Sequence, residues 1–210
     1  MTVRVFVLKE GTIDREPDGT ILDASSSVTL VLSGDTSIVV DTAMPRDADE
    51  VEEALAEHDL RPEDVDILVN THCHADHTGC NRLFTNAEVV VHREEGAARC
   101  VSGKVRRVEG TMEELVPGVR VIHTPGHSRG SISVVAETEL GTWVMAGDAL
   151  PTPDNYVAWV PPGIHYDEEV ALNSMKRIVD LADTIVPGHG PPFRKDGDLP
   201  TSVMHAFYAG

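Results

Sequence analysis

One seven-residue run, Thr71-His72-Cys73-His74-Ala75-Asp76-His77, strongly constrains what this chain can fold into. It places three imidazoles and a carboxylate directly after the apolar run 67–69, which is typical of a buried strand. Imidazole and carboxylate together suit zinc, iron and manganese. So short a loop can supply two metal ions if its first two histidines point one way and Asp76 and His77 another. The competing interpretation is a polar surface turn that holds several histidines by chance.

Three further apolar runs lead to a histidine or a carboxylate. Residues 119–123 lead to His127, residues 143–147 to Asp148, and residues 184–188 to His189. Glycine precedes each of these three polar residues, and a residue without Cβ permits a tight turn beside a metal. Ligands in layered α/β proteins gather outside the carboxyl ends of strands. We therefore expect one shared site, although each of these side chains taken alone could be structural.

These segments, together with Val40-Asp41-Thr42, resemble the metallo-β-lactamase-fold hydrolase superfamily, whose motif order they follow from Asp41 to His189. The resemblance implies a single domain over residues 1–210. It also implies an α/β fold of four αββα layers, with two mixed β-sheets flanked by helices.

The resemblance further implies a binuclear metal site. It assigns one ion to His72, His74 and His127, the other to Asp76, His77 and His189, and makes Asp148 the bridge. Asp41 is expected to fix the histidine loop through hydrogen bonds. We expect two divalent ions, with zinc as the first choice and iron or manganese as alternatives.

The chemistry of such a site follows from the two ions. Ions about 3.5–4 Å apart hold a hydroxide and polarise a carbonyl or phosphoryl oxygen. Asp76 or Asp148 is expected to help carry the proton to the leaving group. We therefore expect hydrolysis of an ester, thioester, lactone or related bond of a small substrate. The chain has no Gly-x-Ser-x-Gly motif and no phosphate-binding glycine loop, which argues against serine hydrolases and nucleotidases.

Three alternatives stay open. Persulfide dioxygenases of the same superfamily hold one iron with the equivalents of His72, His127 and Asp148, all present here. The second alternative is a phosphodiester hydrolase. Residues 182–193 resemble the subgroup of metallo-β-lactamase domain-containing protein 1, some of whose relatives act on RNA. The third is a non-enzymatic binding domain, against which the complete ligand set argues.

Two subgroups of the family match less well. Glyoxalase II members carry a further helical domain, for which the residues after His189 leave no room. Quorum-quenching lactonases carry a tyrosine three residues after the bridging aspartate, where this chain has Pro151.

The net charge of the chain limits the classes of partner that it can bind. The formal net charge of −18 disfavours nucleic acid, whose binding requires cations to neutralise phosphates. One basic patch, at Arg99, Lys104, Arg106 and Arg107, could steer an anionic substrate, but a solvated surface is the favoured interpretation. No apolar run is long enough to span a membrane, and the N-terminus resembles a strand rather than a signal peptide.

Three cysteines without a CxxC pair, Cys73, Cys80 and Cys100, fit a reducing cytoplasm, so we expect a cytoplasmic protein. Cys73 is expected to be a small packed thiol. A homodimer is a reasonable expectation for a compact enzyme. The segment 154–166 is rich in aromatic residues. We expect Tyr156 and Trp159 to form a wall of the substrate pocket or, equally, the loop to pack on its own aromatic side chains.

Periodicity predicts the remaining elements. Strands are expected at 3–9, 27–33, 37–41, 66–71, 88–92, 119–123, 131–137, 143–147 and 184–186. Helices are expected at 47–59, near 94–100 and at 168–182, with a helical turn at 80–84.

Overall fold

The computed structural model of this chain describes residues 2–95 and 103–197. Its strands form two six-stranded mixed sheets and one two-stranded hairpin. The first sheet contains, in spatial order, β1 (Val3–Lys9), β4 (Val28–Ser33), β5 (Thr36–Val40), β6 (Ile67–Val69), β7 (Glu88–His92) and β8 (Val105–Val108). The second contains β14 (Phe193–Arg194), β13 (Thr184–Pro187), β12 (Gly141–Gly147), β11 (Ile132–Thr138), β10 (Val119–His123) and β9 (Met112–Val116). The hairpin pairs β2 (Thr12–Arg15) with β3 (Ile21–Ser25).

Within the described residues, four α-helices and several 3-10 turns connect these strands. The helices are α1 (Ala48–Ala56), α2 (Ala75–Thr78), α3 (Pro153–Ala158) and α4 (Glu168–Leu181). The 3-10 turns are Pro45–Asp47, Pro62–Asp64, Asn81–Leu83 and Arg93–Glu95. No helix among the described residues is long and apolar enough to cross a membrane.

Three apolar clusters divide the molecule into layers. One lies between the two sheets, where Val31 and Val69 of the first sheet share a cluster with Val134 of the second. Another packs Leu55 of α1 on the outer face of the first sheet. The third packs Ile178 of α4 on the outer face of the second sheet. The result is an αββα sandwich, so the expected fold class is confirmed.

Strand directions decide which loops meet. Strands β5, β6 and β7 run parallel, so their carboxyl ends share one edge of the first sheet. In the second sheet β10 and β12 are each antiparallel to β11, and β13 is parallel to β12. The loops that follow β10, β12 and β13 therefore leave the same edge of the second sheet.

Several boundaries differ from the sequence expectations for local reasons. Helix α1 ends at Ala56 rather than near residue 59, because Asp59 adopts a left-handed conformation with φ of 59°. Leu60 then donates its N–H to the carbonyl of Leu55, which closes the helix end. The helix expected near 94–100 appears as the 3-10 turn Arg93–Glu95, and residues 96–100 lie outside the described residues.

The sequence did not predict the hairpin β2–β3, the strands β8, β9 and β14, or the helices α2 and α3. Hairpin strand β2 is only four residues long and largely exposed, so it lacks the apolar alternation that identifies a strand. A single domain over residues 1–210 stays a prediction; both halves of the chain do share the core between the sheets.

Candidate metal centre

The loops at the two sheet edges bring together all seven residues that the sequence singled out as ligands. The loop after β6 supplies four of them, and the loops after β10, β12 and β13 supply one each. They form two groups, His72, His74, His127 and Asp148 in one, and Asp76, His77 and His189 in the other. Within each group the potential ligand atoms lie within 4.8 Å of one another.

The first group is a convergence of three imidazoles. His127 Nε2 lies 3.2 Å from His72 Nε2 and 3.0 Å from His74 Nδ1. Asp148 Oδ2 approaches the same nitrogen of His127 at 3.4 Å. Three nitrogens and one carboxylate oxygen thus face one small volume.

The second group meets the other oxygen of the same carboxylate. Asp148 Oδ1 lies 3.2 Å from both His77 Nε2 and His189 Nε2. Asp76 Oδ2 lies 3.5 Å from His189 Nε2 and 3.8 Å from His77 Nε2. Asp148 therefore presents one oxygen to each group, as a bridging carboxylate would.

Unpaired polar atoms show that these residues fit metal ions. His77 Nε2 and Asp148 Oδ1 are buried, and despite their 3.2 Å separation neither makes a hydrogen bond of acceptable geometry. Buried polar atoms without partners are rare in folded proteins and call for an ion or a water. A nitrogen- and carboxylate-rich set of this kind suits zinc, iron or manganese.

Hydrogen bonds on the far side of the rings fix which nitrogen faces the site. His127 Nδ1 donates to the carbonyl of Ile164 at 2.9 Å. His189 Nδ1 donates toward the carbonyls of Thr12 and Ser25, both at 3.1 Å. Since a carbonyl only accepts, Nδ1 carries a proton in both rings, and Nε2 is the nitrogen that faces the site.

Asp41 hydrogen-bonds to the loop that carries the four β6 ligands. It is buried, and its carboxylate accepts hydrogen bonds from Thr71 N at 2.8 Å, Thr71 Oγ1 at 2.7 Å and His77 Nδ1 at 2.8 Å. Its φ of 57° is unusual for a residue other than glycine. The strained backbone at the end of β5 is what aims this carboxylate at the loop after β6.

Electrostatics divide the ligands into two kinds. Burial lowers the pKa of His72 well below its usual value and lowers the pKa of His127, so both rings are neutral lone-pair donors at pH 7. Burial also disfavours a charged His77, but the carboxylates of Asp148 and Asp41 outweigh it and raise the pKa of His77 well above its usual value. Burial alone would raise the pKa of Asp148, yet His77 and His189 hold it well below its usual range.

Two glycines leave room for the site. A Cβ on Gly188 would lie 2.2 Å from Asp148 Oδ1, and a Cβ on Gly147 would lie 2.5 Å from Thr71 Oγ1. Gly147 also has a φ of 52°, a conformation that side chains disfavour. These contacts confirm the expectation that glycine permits close backbone approach beside these residues.

A carboxylate that the sequence did not single out joins the two loops of the first group. Glu95 Oε2 accepts a hydrogen bond at 2.9 Å from the N–H of Cys73, the residue between His72 and His74 in the sequence. Its Oε1 accepts from Gly130 N at 3.1 Å and from the hydroxyl of Ser128, in the loop that carries His127. No motif marks this residue in the sequence, because its role depends on contacts 22 to 35 residues away.

An apolar cavity opens directly onto the ligands. Its volume is about 180 Å³, and His74, Asp76, His127, Asp148 and His189 form its polar floor. The remaining lining comes from the hairpin β2–β3, from Pro151 and from residues 162–164. The hairpin residues are Ile13, Arg15, Ile21 and Ala24, none of which the sequence identified.

Tyr156 and Trp159 do not line this cavity. The Tyr156 hydroxyl donates to the carbonyl of Lys195 at 3.0 Å, and its ring packs on Phe193. Trp159 is 44% exposed. The structure places Pro162, Gly163 and Ile164 of the same loop at the cavity, where we expected the two aromatic rings.

Two residues of the basic patch are paired with carboxylates. Lys104 pairs with Glu88 at 3.1 Å, and Arg106 pairs with Glu113. Arg99 and Cys100 lie outside the described residues.

Cys73 takes part in a disulfide bond, so the expectation of a packed thiol is wrong for this residue. Cys80 is buried and free, and burial raises its pKa to about 11.

Comparison with known proteins agrees with this geometry. The sequence profile of the metallo-beta-lactamase superfamily matches residues 22–189. Metallo-beta-lactamase domain-containing protein 1 of Xenopus laevis is 36% identical over 201 residues, which cover 93% of this chain and 84% of that protein. A probable metallo-hydrolase of Methanocaldococcus jannaschii is 34% identical over 187 residues, covering 89% of this chain and 87% of that protein.

A solved structure matches as well. It is a mutant of AiiA from B. thuringiensis with N-decanoyl-L-homoserine bound at the active site. It superposes with a TM-score of 0.71 at 26% identity, covering 90% of this chain and 94% of that one. Fold, ligand set and sequence thus agree, and the chain belongs to the metallo-beta-lactamase superfamily as one of its metal-dependent hydrolases.

Proposed function

We propose that this protein is a binuclear, zinc-dependent hydrolase that cleaves an ester, thioester or lactone bond of a small acyl substrate. The observation that carries the proposal is the position of Asp148, whose two oxygens face two separate ligand groups at 3.2–3.4 Å. A single-ion enzyme needs no second complete group, so Asp76, His77 and His189 favour two ions over one.

Bound ions would supply a hydroxide at neutral pH and polarise the scissile carbonyl. The residues of the chain do the rest. Hydrogen bonds to Ile164, Thr12 and Ser25 hold the rings of His127 and His189 in one orientation before substrate arrives. Asp76, whose side chain is 21% exposed, and Asp148 both line the cavity, so either carboxylate is placed to carry a proton to the leaving group.

The acyl class of substrate draws on two further observations. The cavity above the ligands is lined mainly by apolar groups, which suits an acyl chain better than a sugar or a nucleotide. The AiiA structure holds an N-acyl homoserine at its active site. The net charge of −18 disfavours an RNA or phosphodiester substrate. A homodimer and a small-molecule partner stay part of this proposal. A cytoplasmic location also stays a proposal, although the disulfide bond of Cys73 removes the cysteine argument for it.

Metal analysis is the first test. The protein is purified without chelator or added metal, and its metal content is measured by plasma mass spectrometry. About two zinc ions per chain, together with turnover in a panel of esters, thioesters and lactones, is the expected result. About one iron with little zinc would refute the binuclear hydrolase and direct the next assay to oxygen consumption with glutathione persulfide.

A further inference from the structure

The hairpin β2–β3 brings one cation to the mouth of the catalytic cavity. Arg15 lines the cavity that contains His74, Asp148 and His189. It also lines an adjoining cavity of about 440 Å³ with Ile13 and Gly163. Its Nη1 lies opposite the segment 162–164, since a Cβ on Gly163 would be 3.9 Å away.

Arg15 has no carboxylate partner among the described residues, and its guanidinium donates only to the carbonyl of Gly19, at 3.1 Å. Acidic residues outnumber basic ones by 35 to 17 in this chain, so a partner would be easy to provide. Five other arginines do pair with carboxylates, namely Arg46, Arg61, Arg93, Arg106 and Arg120. The guanidinium at the cavity mouth therefore keeps donors available for an incoming group.

The surroundings of Arg15 define what it can bind. The rest of the cavity wall is apolar and comes from Ile13, Ile21, Ala24, Pro151, Pro162 and Ile164. Asp154, in the adjoining cavity, makes no ion pair with Arg15, so it does not occupy the guanidinium donors. A guanidinium fork matches a carboxylate or a phosphate in geometry and charge.

The hairpin is held in place over the ligands. Ser27 donates its N–H to the carbonyl of Gly188 at 2.8 Å, and Gly11 donates its N–H to Ser27 Oγ at 3.0 Å. His189 Nδ1 donates to the hairpin carbonyls of Thr12 and Ser25. Arg15 thus extends from an anchored element and can set substrate choice.

We propose that Arg15 binds an anionic group, a carboxylate or a phosphate, at the end of the substrate remote from the scissile bond. The inference rests on the proposed hydrolase function and narrows its substrate class to acyl compounds with an anionic tail. The apolar wall between Arg15 and the ligands accommodates the chain that joins the two ends.

The first test measures binding and does not depend on turnover. Straight-chain dicarboxylates from succinate to suberate, and the monocarboxylates of equal length, are titrated calorimetrically into zinc-loaded protein. At one chain length the wild type is expected to bind the dicarboxylate at least about tenfold more tightly than the monocarboxylate. Arg15→Ala is expected to reduce that ratio to within about twofold of one, and Arg15→Lys to give an intermediate ratio.

The control removes the same charge elsewhere. Lys176 forms an exposed pair with Asp180 on α4, so Lys176→Ala is expected to keep the wild-type ratio. Phosphonocarboxylates of the best length show whether carboxylate or phosphate is preferred, and preference for either supports the proposal. An unchanged ratio in Arg15→Ala, or no dicarboxylate preference in the wild type at any length, overturns it.

The second test separates this inference from the proposed function. Mono-4-nitrophenyl esters of the best dicarboxylate are compared with the matching neutral esters. In Arg15→Ala the KM for the anionic ester is expected to rise about tenfold, with kcat within about twofold of wild type. If the wild type cleaves neither ester while the calorimetric ratio still depends on Arg15, the hydrolase proposal fails and the anion site stands.

Discussion

Replacing Glu95 tests whether one carboxylate holds the two loops of the first ligand group together. Glu95→Ala removes acceptors for the N–H groups of Cys73 and Gly130 and for the hydroxyl of Ser128. Hydrogen bonds to a charged group contribute about 1.5–3 kcal/mol each, and less where water can replace the carboxylate. Because Glu95 is half-buried, we expect a total loss of about 2–4 kcal/mol in the free energy of unfolding.

The assay compares thermal unfolding of metal-depleted Glu95→Ala and wild type. For a chain of this size, the loss corresponds to a decrease in Tm of about 5–15 °C. Glu94→Ala is the matched control, because Glu94 lies in the same 3-10 turn but is 46% exposed and lies 3.6 Å from Arg93. The control is expected to shift Tm by less than about 2 °C.

Metal binding gives an independent measure of the same role. Glu95 contacts the loops of His72, His74 and His127 but no residue of the second ligand group, so the affinity of the first group for a metal ion is expected to fall about tenfold. Glu95→Gln keeps one acceptor oxygen and is expected to lie between wild type and Glu95→Ala. Equal melting temperatures for Glu95→Ala and Glu94→Ala would refute the argument.

Three further outcomes are expected. Gly188→Ala places a Cβ 2.2 Å from Asp148 Oδ1 and is expected to lower the bound metal from about two ions per chain to below one. The control Gly163→Ala is expected to retain both ions. Equal metal content in the two variants would contradict the steric argument. Burial raises the pKa of Cys80 to about 11, so mass mapping after iodoacetamide at pH 8 is expected to find it unmodified until the protein is denatured. Because the pKa of His77 is raised, the metal-free protein carries a proton on this ring at pH 7. Metal binding is therefore expected to release about one proton and to strengthen as pH rises. Calorimetry in buffers of different ionisation enthalpy measures the number of protons released, and a value of zero would refute the prediction.

The ligand residues could be found from the sequence because each follows an apolar strand. Strands of this kind carry a local signal, and parallel strands gather their carboxyl ends at one edge, so His127, Asp148 and His189 could be assigned to one site without knowing the full topology. Helix α4 was likewise predictable, since Asp167 caps its first turn by accepting from Val170 N at 3.0 Å.

The substrate side of the site could not be found in this way. Arg15 and Ile21 lie about fifty residues before the histidine loop, on short strands with little apolar alternation. Glu95 joins loops that are distant in sequence, and only the packing of the two sheets brings them together. Aromatic content led us to expect Tyr156 and Trp159 in the substrate wall, whereas Pro162, Gly163 and Ile164 of the same segment line the cavity.

His189 Nδ1 is hydrogen-bonded to the base of the hairpin. Metal binding by His189 and substrate selection by the hairpin therefore cannot be changed independently. Any substitution that shifts the carbonyls of Thr12 or Ser25 changes the acceptor that orients a ligand ring, and so changes metal affinity. Conversely, an ion bound at His189 would help to hold that ring and, through its Nδ1 hydrogen bonds, the hairpin that carries Arg15. Directed evolution of this hairpin toward a new substrate would therefore have to be screened in excess metal, or variants with improved recognition would be discarded as inactive.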